Sequence, residues 1–161
     1  MARATMRMEE VFIKGDVQFR TATNGVEYAK FLVGLHNIPL CLMIWDDERK
    51  SNHFKSLKKA LELKNKFESM NIEEKLSAIK DTNTGICDVI VPGETKLDIT
   101  VKITAYAPDD RESGKKFRYT VSEWRHSDSY GARQEHMTNV AKKDETPIKA
   151  QIIDDLSEFE C

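Results

Sequence analysis

The sequence lacks the motifs of the common nucleotide-binding and hydrolytic enzymes. It has no glycine-rich phosphate loop of the Walker or dinucleotide type and no Gly-x-Ser-x-Gly nucleophile turn. The spacing of the four histidines, relative to one another and to the cysteines, does not match that of metal ligands; they are His36, His53, His126 and His136. We therefore expect no enzymatic activity, no cofactor and no metal site. A metal-dependent nuclease that uses Asp88, Glu94 or Asp98 is the least favoured alternative.

Cysteines and long apolar segments are also scarce. The three cysteines, Cys41, Cys87 and Cys161, are odd in number and far apart, which favours a reducing compartment over a disulfide framework. No run approaches the roughly 20 apolar residues that cross a bilayer, and residues 1–10 have no apolar core of the signal-peptide kind. These features predict a cytoplasmic protein without a membrane partner.

Charge is distributed unevenly along the chain. Residues 1–125 hold 21 Lys and Arg against 19 Asp and Glu, whereas residues 126–161 hold 4 against 8. The last ten residues combine four carboxylates with four bulky apolar side chains and have no positive charge. Such a segment buries too little apolar surface to fold alone, so its apolar residues suit a pocket supplied by a partner. A solubilising acidic terminus is the alternative interpretation of this segment.

The first half of the chain predicts three consecutive strands followed by a helix. Residues 11–20 are rich in β-branched and aromatic side chains, and Asn24-Gly25 forms a hairpin turn. The returning strand alternates: four residues would face a core while the residues between them face outward, and the four are Ala29, Phe31, Val33 and Leu35. Pro39 marks a break before a third, largely apolar strand at residues 40–45. From about residue 52 the apolar period becomes helical, with a stripe of Phe54, Leu57, Ala60, Leu61 and Phe67.

The second half predicts more strands and then a linker. Residues 72–84 form a second short helix or a loop, and strands follow at residues 86–91, 97–107 and 116–125. Periodicity is lost after residue 126. We expect a domain of residues 1–126, in which 61–96 is an insertion, a flexible linker at 127–151, and an acidic partner-binding tip at 152–161.

A meander of three strands, a helix and further strands is the element order of an OB-fold, a small β-barrel that commonly binds single-stranded nucleic acid. The fold class expected is therefore mainly β, with one or two helices inserted mid-chain and a disordered acidic tail. On this reading, several groups of residues resemble bacterial and phage-type single-stranded DNA-binding proteins. They are Gly15, Phe19-Arg20-Thr21, Asn24-Gly25-Val26 and Ala29-Lys30-Phe31 in the first hairpin, then Cys41, Trp45, Phe54 and Leu57-Lys58-Lys59, then Tyr106, Gly114-Lys115 and Tyr119, and the acidic tip.

A binder of unpaired bases needs exposed rings for stacking and cations spaced along the phosphates. Strand alternation places Tyr28 with Lys30 on one outward face, and Lys102 with Tyr106 on another. It also suggests that Lys116, Arg118 and Trp124 share a face. Trp45 has apolar neighbours on both sides, so binding and core packing are both open for it. The candidate nucleic-acid-binding residues are Arg20, Tyr28, Lys30, Trp45, Lys102, Tyr106, Lys116, Arg118 and Trp124.

The favoured function is binding of single-stranded DNA, with little sequence preference, in replication or recombination. The acidic tip would recruit replication or recombination proteins through Asp154, Asp155, Leu156 and Phe159. The family resemblance places such a protein in the cytoplasm of a bacterium or of a phage's host cell, where it could form a homo-oligomer. The alternative is a protein-interaction or inhibitor module built on the same barrel.

Overall fold

A computed structural model of the chain describes residues 4–47, 52–106 and 116–143. The described chain divides into two compact units. The first contains the residues up to 55 together with 92–127, and the second contains 56–91 together with the described residues from 128 onward. Within the described residues, no helix combines the length and the apolar character that crossing a membrane requires.

The first unit is built from six strands in a single sheet. The strands are β1 (Ala4–Val11), β2 (Ile13–Thr21), β3 (Glu27–Leu35), β4 (Ile38–Trp45), β5 (Leu97–Tyr106) and β6 (Lys116–His126). Their order across the sheet is β1-β5-β6-β4-β3-β2. All neighbours are antiparallel except β4 and β6, which run parallel.

The two strands at the ends of this order, β1 and β2, are consecutive in the chain and separated only by Phe12. One nearly continuous strand therefore joins both edges of the sheet, which curls into a barrel. A five-stranded barrel in which the first strand is shared between two edges and the third pairs parallel to the last has the Greek-key arrangement of an OB-fold. The predicted OB-fold-like barrel is thus confirmed, with helices inserted between β4 and β5.

Two tight turns set the register of the meander. Between β2 and β3 the Asn24 side chain accepts a hydrogen bond from the Val26 N–H at 3.0 Å, and Gly25 has a φ of 85°. Between β3 and β4, His36 and Asn37 have φ values of 50° and 66°, the positive φ pair of a type I′ hairpin turn. Pro39 lies inside β4 opposite Gly34, so the break predicted at Pro39 is wrong.

The barrel core follows the alternation of β3. Ala29, Phe31 and Val33 are buried, and their neighbours Ile44 and Leu42 on β4 are at most 1% exposed. The pairing with β2 places Lys30 and Leu32 on the other side of the sheet, where Lys30 is half-buried and Leu32 is 8% exposed. The predicted phase is therefore confirmed over residues 29–33, while Leu35 is only half-buried.

Three helices follow the meander or end the described chain: α1 (His53–Glu68), α2 (Ile72–Lys80) and α3 (Tyr130–Lys143). Asn71 caps α2, because its side chain accepts the Glu74 N–H at 2.8 Å while the Glu74 carboxylate accepts the Asn71 N–H at 3.4 Å. The predicted stripe of α1 is buried except for Leu61, which is half-buried, while Leu63 is buried in its place.

The second unit has its own hydrophobic core. α3 is anchored there by Arg133, which donates to the Cys87 carbonyl at 3.1 Å, the Asp128 carbonyl at 3.0 Å and the Asp88 carboxylate at 3.1 Å. The core cluster consists of Leu63, Phe67, Ala78, Ile79, Ile86, Cys87, Val89, Met137 and Ala141. Residues from the inserted segment and from α3 therefore bury one another.

Three sequence-based expectations fail here. The strand predicted at residues 86–91 is a single 3₁₀ turn at Ile86–Asp88 followed by residues without regular secondary structure, and apolar side chains of this segment pack in the core of the second unit. The segment expected to be a flexible linker, residues 127–151, contains α3. In addition, β1 lies where no element was predicted.

Candidate nucleic-acid interface

One face of the barrel is formed by the outward side chains of β2, β3 and β4. Residues directly opposite one another in antiparallel strands point to the same side of the sheet, so the register defines this face. One row pairs Arg20 with Tyr28 and Tyr28 with Trp45. We call the outward face of these strands the meander face; its paired members are Lys14, Gln18, Arg20, Tyr28, Lys30, Leu32, Gly34, Pro39, Cys41, Met43 and Trp45.

The second row continues across the sheet. Gln18 pairs with Lys30, Lys30 with Met43, Met43 with Thr120 of β6, and Thr120 with Lys102 of β5. The register therefore brings Lys30 and Lys102, which are far apart in sequence, into one line of outward positions.

An aromatic pair lies in the first row. The rings of Tyr28 and Trp45 have centroids 4.7 Å apart and an interplanar angle of 33°, which is an offset, tilted stack. Both side chains are half-buried. Since the inward positions of β4 are taken by Leu42 and Ile44, the structure places Trp45 outside the barrel core and beside Tyr28.

The cations of the meander face, and Lys102 on β5, have no carboxylate partner within the described residues. Among the residues that the structure describes, Lys14, Lys30 and Lys102 have neither an ion pair nor a hydrogen bond from the side chain. Arg20 is exposed and donates to the Gln18 amide oxygen at 2.9 Å, a neutral partner that leaves its charge uncompensated. The paired members of the meander face include three cations and no acidic residue, and the exposed Asp16 lies in the unpaired stretch of β2 between Lys14 and Gln18.

On β1, β5 and the end of β6, in contrast, the charged side chains are paired with one another. Asp98 accepts a hydrogen bond from Ser127 Oγ at 2.6 Å and from Arg125 Nε at 3.3 Å, and lies 3.7 Å from Arg7. Burial alone would raise the pKa of Asp98, but these bonds and the one from the Glu10 N–H outweigh it and lower the pKa. The charges here neutralise one another, so Arg125 belongs to a structural network.

A groove of about 590 Å³ runs along the meander face. Its lining includes Tyr28, Lys30, Trp45 and Arg118, which were predicted site residues, so the structure brings these four together. Cys41, Met43 and Phe117 line it as well and were not predicted. Phe117 is 59% exposed, so its ring is accessible from the groove.

Trp124 lies elsewhere. The β5–β6 register shifts between Thr100 and Val101, which places an extra residue, Ser122, in β6 and reverses the phase beyond it. Trp124 is therefore opposite the buried Ile99, and its indole N–H donates to the His53 carbonyl at 2.8 Å. The expectation that Trp124 shares a face with Lys116 and Arg118 is wrong.

Some predicted site residues cannot be placed. Tyr106 and Lys116 are opposite one another at the end of the β5–β6 ladder, but their side chains lie outside the described residues. The tail residues Asp154, Asp155, Leu156 and Phe159 also lie outside the described part of the chain.

Other chemistry has little support in the described residues. Asp88 is paired with Arg133 in the second unit, and Asp98 belongs to the network of the first. Across residues 4–47, 52–106 and 116–143, no group of three or more His, Cys, Asp or Glu side chains is arranged to hold a metal ion.

Comparison with known proteins gives structural matches only. No family model matches the sequence, and no curated protein does. The chain is similar to the mitochondrial single-stranded DNA-binding protein Rim1 of Saccharomyces cerevisiae in two crystal forms. With the first form the identity is 7% and the TM-score 0.45, over 78% of this chain and 96% of that chain. With the second form the identity is 8% and the TM-score 0.43, over 78% of this chain and 95% of that chain. It is also similar to the single-stranded DNA-binding domain of a Synechococcus protein, with 11% identity, 76% of this chain, 93% of that chain and a TM-score of 0.38.

Proposed function

We propose that the meander face binds single-stranded DNA with little sequence preference. The observation that carries the proposal is the stacked pair of Tyr28 and Trp45, set among cations that have no carboxylate partner in the described residues. Unpaired bases expose flat apolar faces and a continuous chain of phosphates. A ring pair flanked by Arg20 and Lys30 offers complementary groups to both.

The composition of the groove favours sequence-tolerant binding. Stacking on a ring does not depend on base identity, because every base has a π-face. Cys41 and Met43 add polarisable surface beside the rings, and a thioether adapts its shape to different bases. The nearby cations, Lys30 and Arg118, suit phosphates and carry no sequence information.

The two tryptophans of the chain allow a matched experiment. Trp45 belongs to the meander face, whereas Trp124 lies opposite Ile99 with its N–H bonded to the backbone. Intrinsic fluorescence is titrated with oligothymidine for the Trp45→Phe and Trp124→Phe variants at two salt concentrations. We expect strong quenching in Trp124→Phe and little in Trp45→Phe, with an affinity that falls along a linear log–log salt plot.

A duplex of the same length and added magnesium complete this titration. We expect weaker binding of the duplex, because its bases are already stacked and cannot meet the rings. Equal affinity for both forms would remove the claim of single-strand binding. Cleavage of the oligonucleotide in magnesium would favour the nuclease alternative instead.

We infer a second role for the acidic tip, residues 152–161, in replication or recombination. An anionic segment competes with nucleic acid for a basic face, and bound DNA would displace it toward solvent. Leu156 and Phe159 could then enter a pocket of a partner protein, while Asp154 and Asp155 meet a basic rim. This assignment rests on the composition of the segment.

Deletion of residues 152–161 tests the tip directly. We expect unchanged or slightly improved DNA affinity at low salt, together with loss of co-purifying replication or recombination proteins. The single change Phe159→Ala should reproduce much of the partner loss, because an aromatic anchor carries a large share of a small interface. A truncated protein that loses DNA binding and keeps its partners would contradict this role.

A further inference from the structure

A lysine lies across a glycine at the far end of the meander face. A Cβ atom built on Gly34 would be 2.6 Å from Lys14 Cε and 2.8 Å from Lys14 Nζ. Real Cβ atoms are not found this close to another atom, so any larger residue at position 34 would displace the lysine. The absence of a side chain at Gly34 is what allows the Lys14 chain to lie flat against β3.

The position of Lys14 relates it to the aromatic pair. Lys14 is opposite Leu32, and Leu32 is four residues from Tyr28 on the same strand. At roughly 3.3 Å per residue along β3, the Lys14 backbone is about 13 Å from the first row, and its ammonium, which lies against Gly34, is about 20 Å from it. Leu32 and Tyr28 are an even number of residues apart on β3, so they lie on the same side of the sheet, and Lys14, opposite Leu32, lies on that side too.

The surroundings of Lys14 keep its charge available. Leu32 faces outward but is only 8% exposed, which leaves an apolar floor between Lys14 and Cys41. Lys14 itself is half-buried and has no ion pair or hydrogen bond from its side chain among the described residues. The Lys14 ammonium lies against Gly34 and has no intramolecular partner among the described residues, so its charge is available to an anionic ligand.

We propose that Lys14, seated on Gly34, is a second phosphate-binding position that extends the single-strand path beyond the aromatic pair. The proposal rests on the proposed function of the meander face. It assigns a further phosphodiester of the same DNA strand to Lys14, a residue that the sequence analysis did not single out. Gly34 acts as a positioning residue, because it touches the lysine and leaves room for its chain.

The test uses oligothymidines of increasing length with the full-length protein. Lys14→Met keeps an unbranched apolar chain over Leu32 and removes the charge, whereas Lys14→Arg keeps the charge. We expect Lys14→Met to match the wild type on the shortest oligonucleotides that bind. On longer ones it should lose about two- to fivefold in affinity at low salt, and its log–log salt slope should fall by about 0.7. Lys14→Arg should restore both, and Lys142→Met on α3 is the matched control.

Gly34→Ala tests the seat separately from the charge. The new methyl group would shift the far end of a flexible side chain and keep its charge, so we expect a smaller loss than for Lys14→Met. The double variant should lose no more than Lys14→Met alone, because the glycine acts only through the lysine. Thermal melting is recorded for each variant, and Lys14→Met tests the phosphate contact even if Gly34→Ala does not fold.

The possible results separate the two proposals. Oligothymidine binding by the wild type, with an unchanged salt slope in Lys14→Met at every length, would overturn the present inference and leave the proposed function standing. Losses from Gly34→Ala that add to those from Lys14→Met would overturn the role of the glycine. A wild-type protein that binds no single strand would overturn the proposed function, and this inference with it.

Discussion

Replacement of Tyr28 and Trp45 by alanine should reduce single-strand affinity by an amount that their geometry defines. The rings are 4.7 Å apart and tilted by 33°, so they form one stack instead of two separate platforms. One stacked base contributes about 1–3 kcal/mol, which corresponds to roughly a 5- to 150-fold change in the dissociation constant. We therefore expect Tyr28→Ala, Trp45→Ala and the double variant to lose similar amounts.

The assay is anisotropy of a labelled oligothymidine at several salt concentrations. The salt slope should stay constant in all three variants, because no phosphate contact is removed. Urea unfolding provides a control for the fold: Leu42→Ala, an inward position on β4 that is 0% exposed, should lose about 2–5 kcal/mol of stability. The aromatic variants should lose clearly less.

Two results would refute this reasoning. Additive losses from the single variants would mean that each ring holds its own base, and that the stack dissolves when DNA binds. A loss of stability as large as that of Leu42→Ala would mean that the rings belong to the core, and that the assigned phase of β3 and β4 is wrong by one residue.

Three further predictions address the charges and the helical unit. Lys30→Ala and Lys102→Ala should each lower the log–log salt slope by about 0.7, while Lys142→Ala should not change it. Asp98→Asn should cost about 1–3 kcal/mol in urea at neutral pH, since it removes a carboxylate with three hydrogen-bonded partners. Folding lowers the pKa of Asp98, so its carboxylate contributes to stability above the unfolded pKa, and this contribution is lost as the pH falls through the folded pKa. The stabilities of the variant and the wild type should therefore converge in acid. A difference that stays constant with pH would contradict this. Arg133→Ala should speed amide exchange throughout α3, and unchanged protection would show that the helix does not depend on this arginine.

The hairpin of β2 and β3 could be predicted because its signals are local. Asn24-Gly25 specifies the turn, and alternation over residues 29–33 specifies the phase. The phase of β4 could not be read in the same way, because both of its faces are apolar. Only pairing with β3 distinguishes inward Leu42 from outward Met43, and this is why Cys41 and Met43 were missed as groove residues.

Other features depend on tertiary context or on weak signals. The extra residue Ser122 in β6 has no sequence signature, yet it decides on which side Trp124 lies. The first strand did carry a signal, since Met6 and Met8 alternate with Arg7 and Glu9.

The signals of α3 were present but faint. Its start is marked by the Ser129 hydroxyl, which accepts the Ala132 N–H at 3.2 Å. Only Met137 and Ala141, four residues apart, are buried. Two buried positions and a glycine at position 131 are too little to distinguish a helix from a polar linker in sequence alone.

The mutual burial of the inserted segment and α3 has a consequence for how the protein is made. Residues 56–91 leave the ribosome well before the rest of their core. Met137 and Ala141, which complete this core, follow only after both β5 and β6 have been synthesised. Ile79, Ile86 and Cys87 stay without part of their packing during that interval, a period in which exposed apolar surface promotes aggregation. For expression, a chain that ends at residue 127 keeps all six described strands but removes α3 from the core of the helical unit, so a useful boundary lies beyond Lys143.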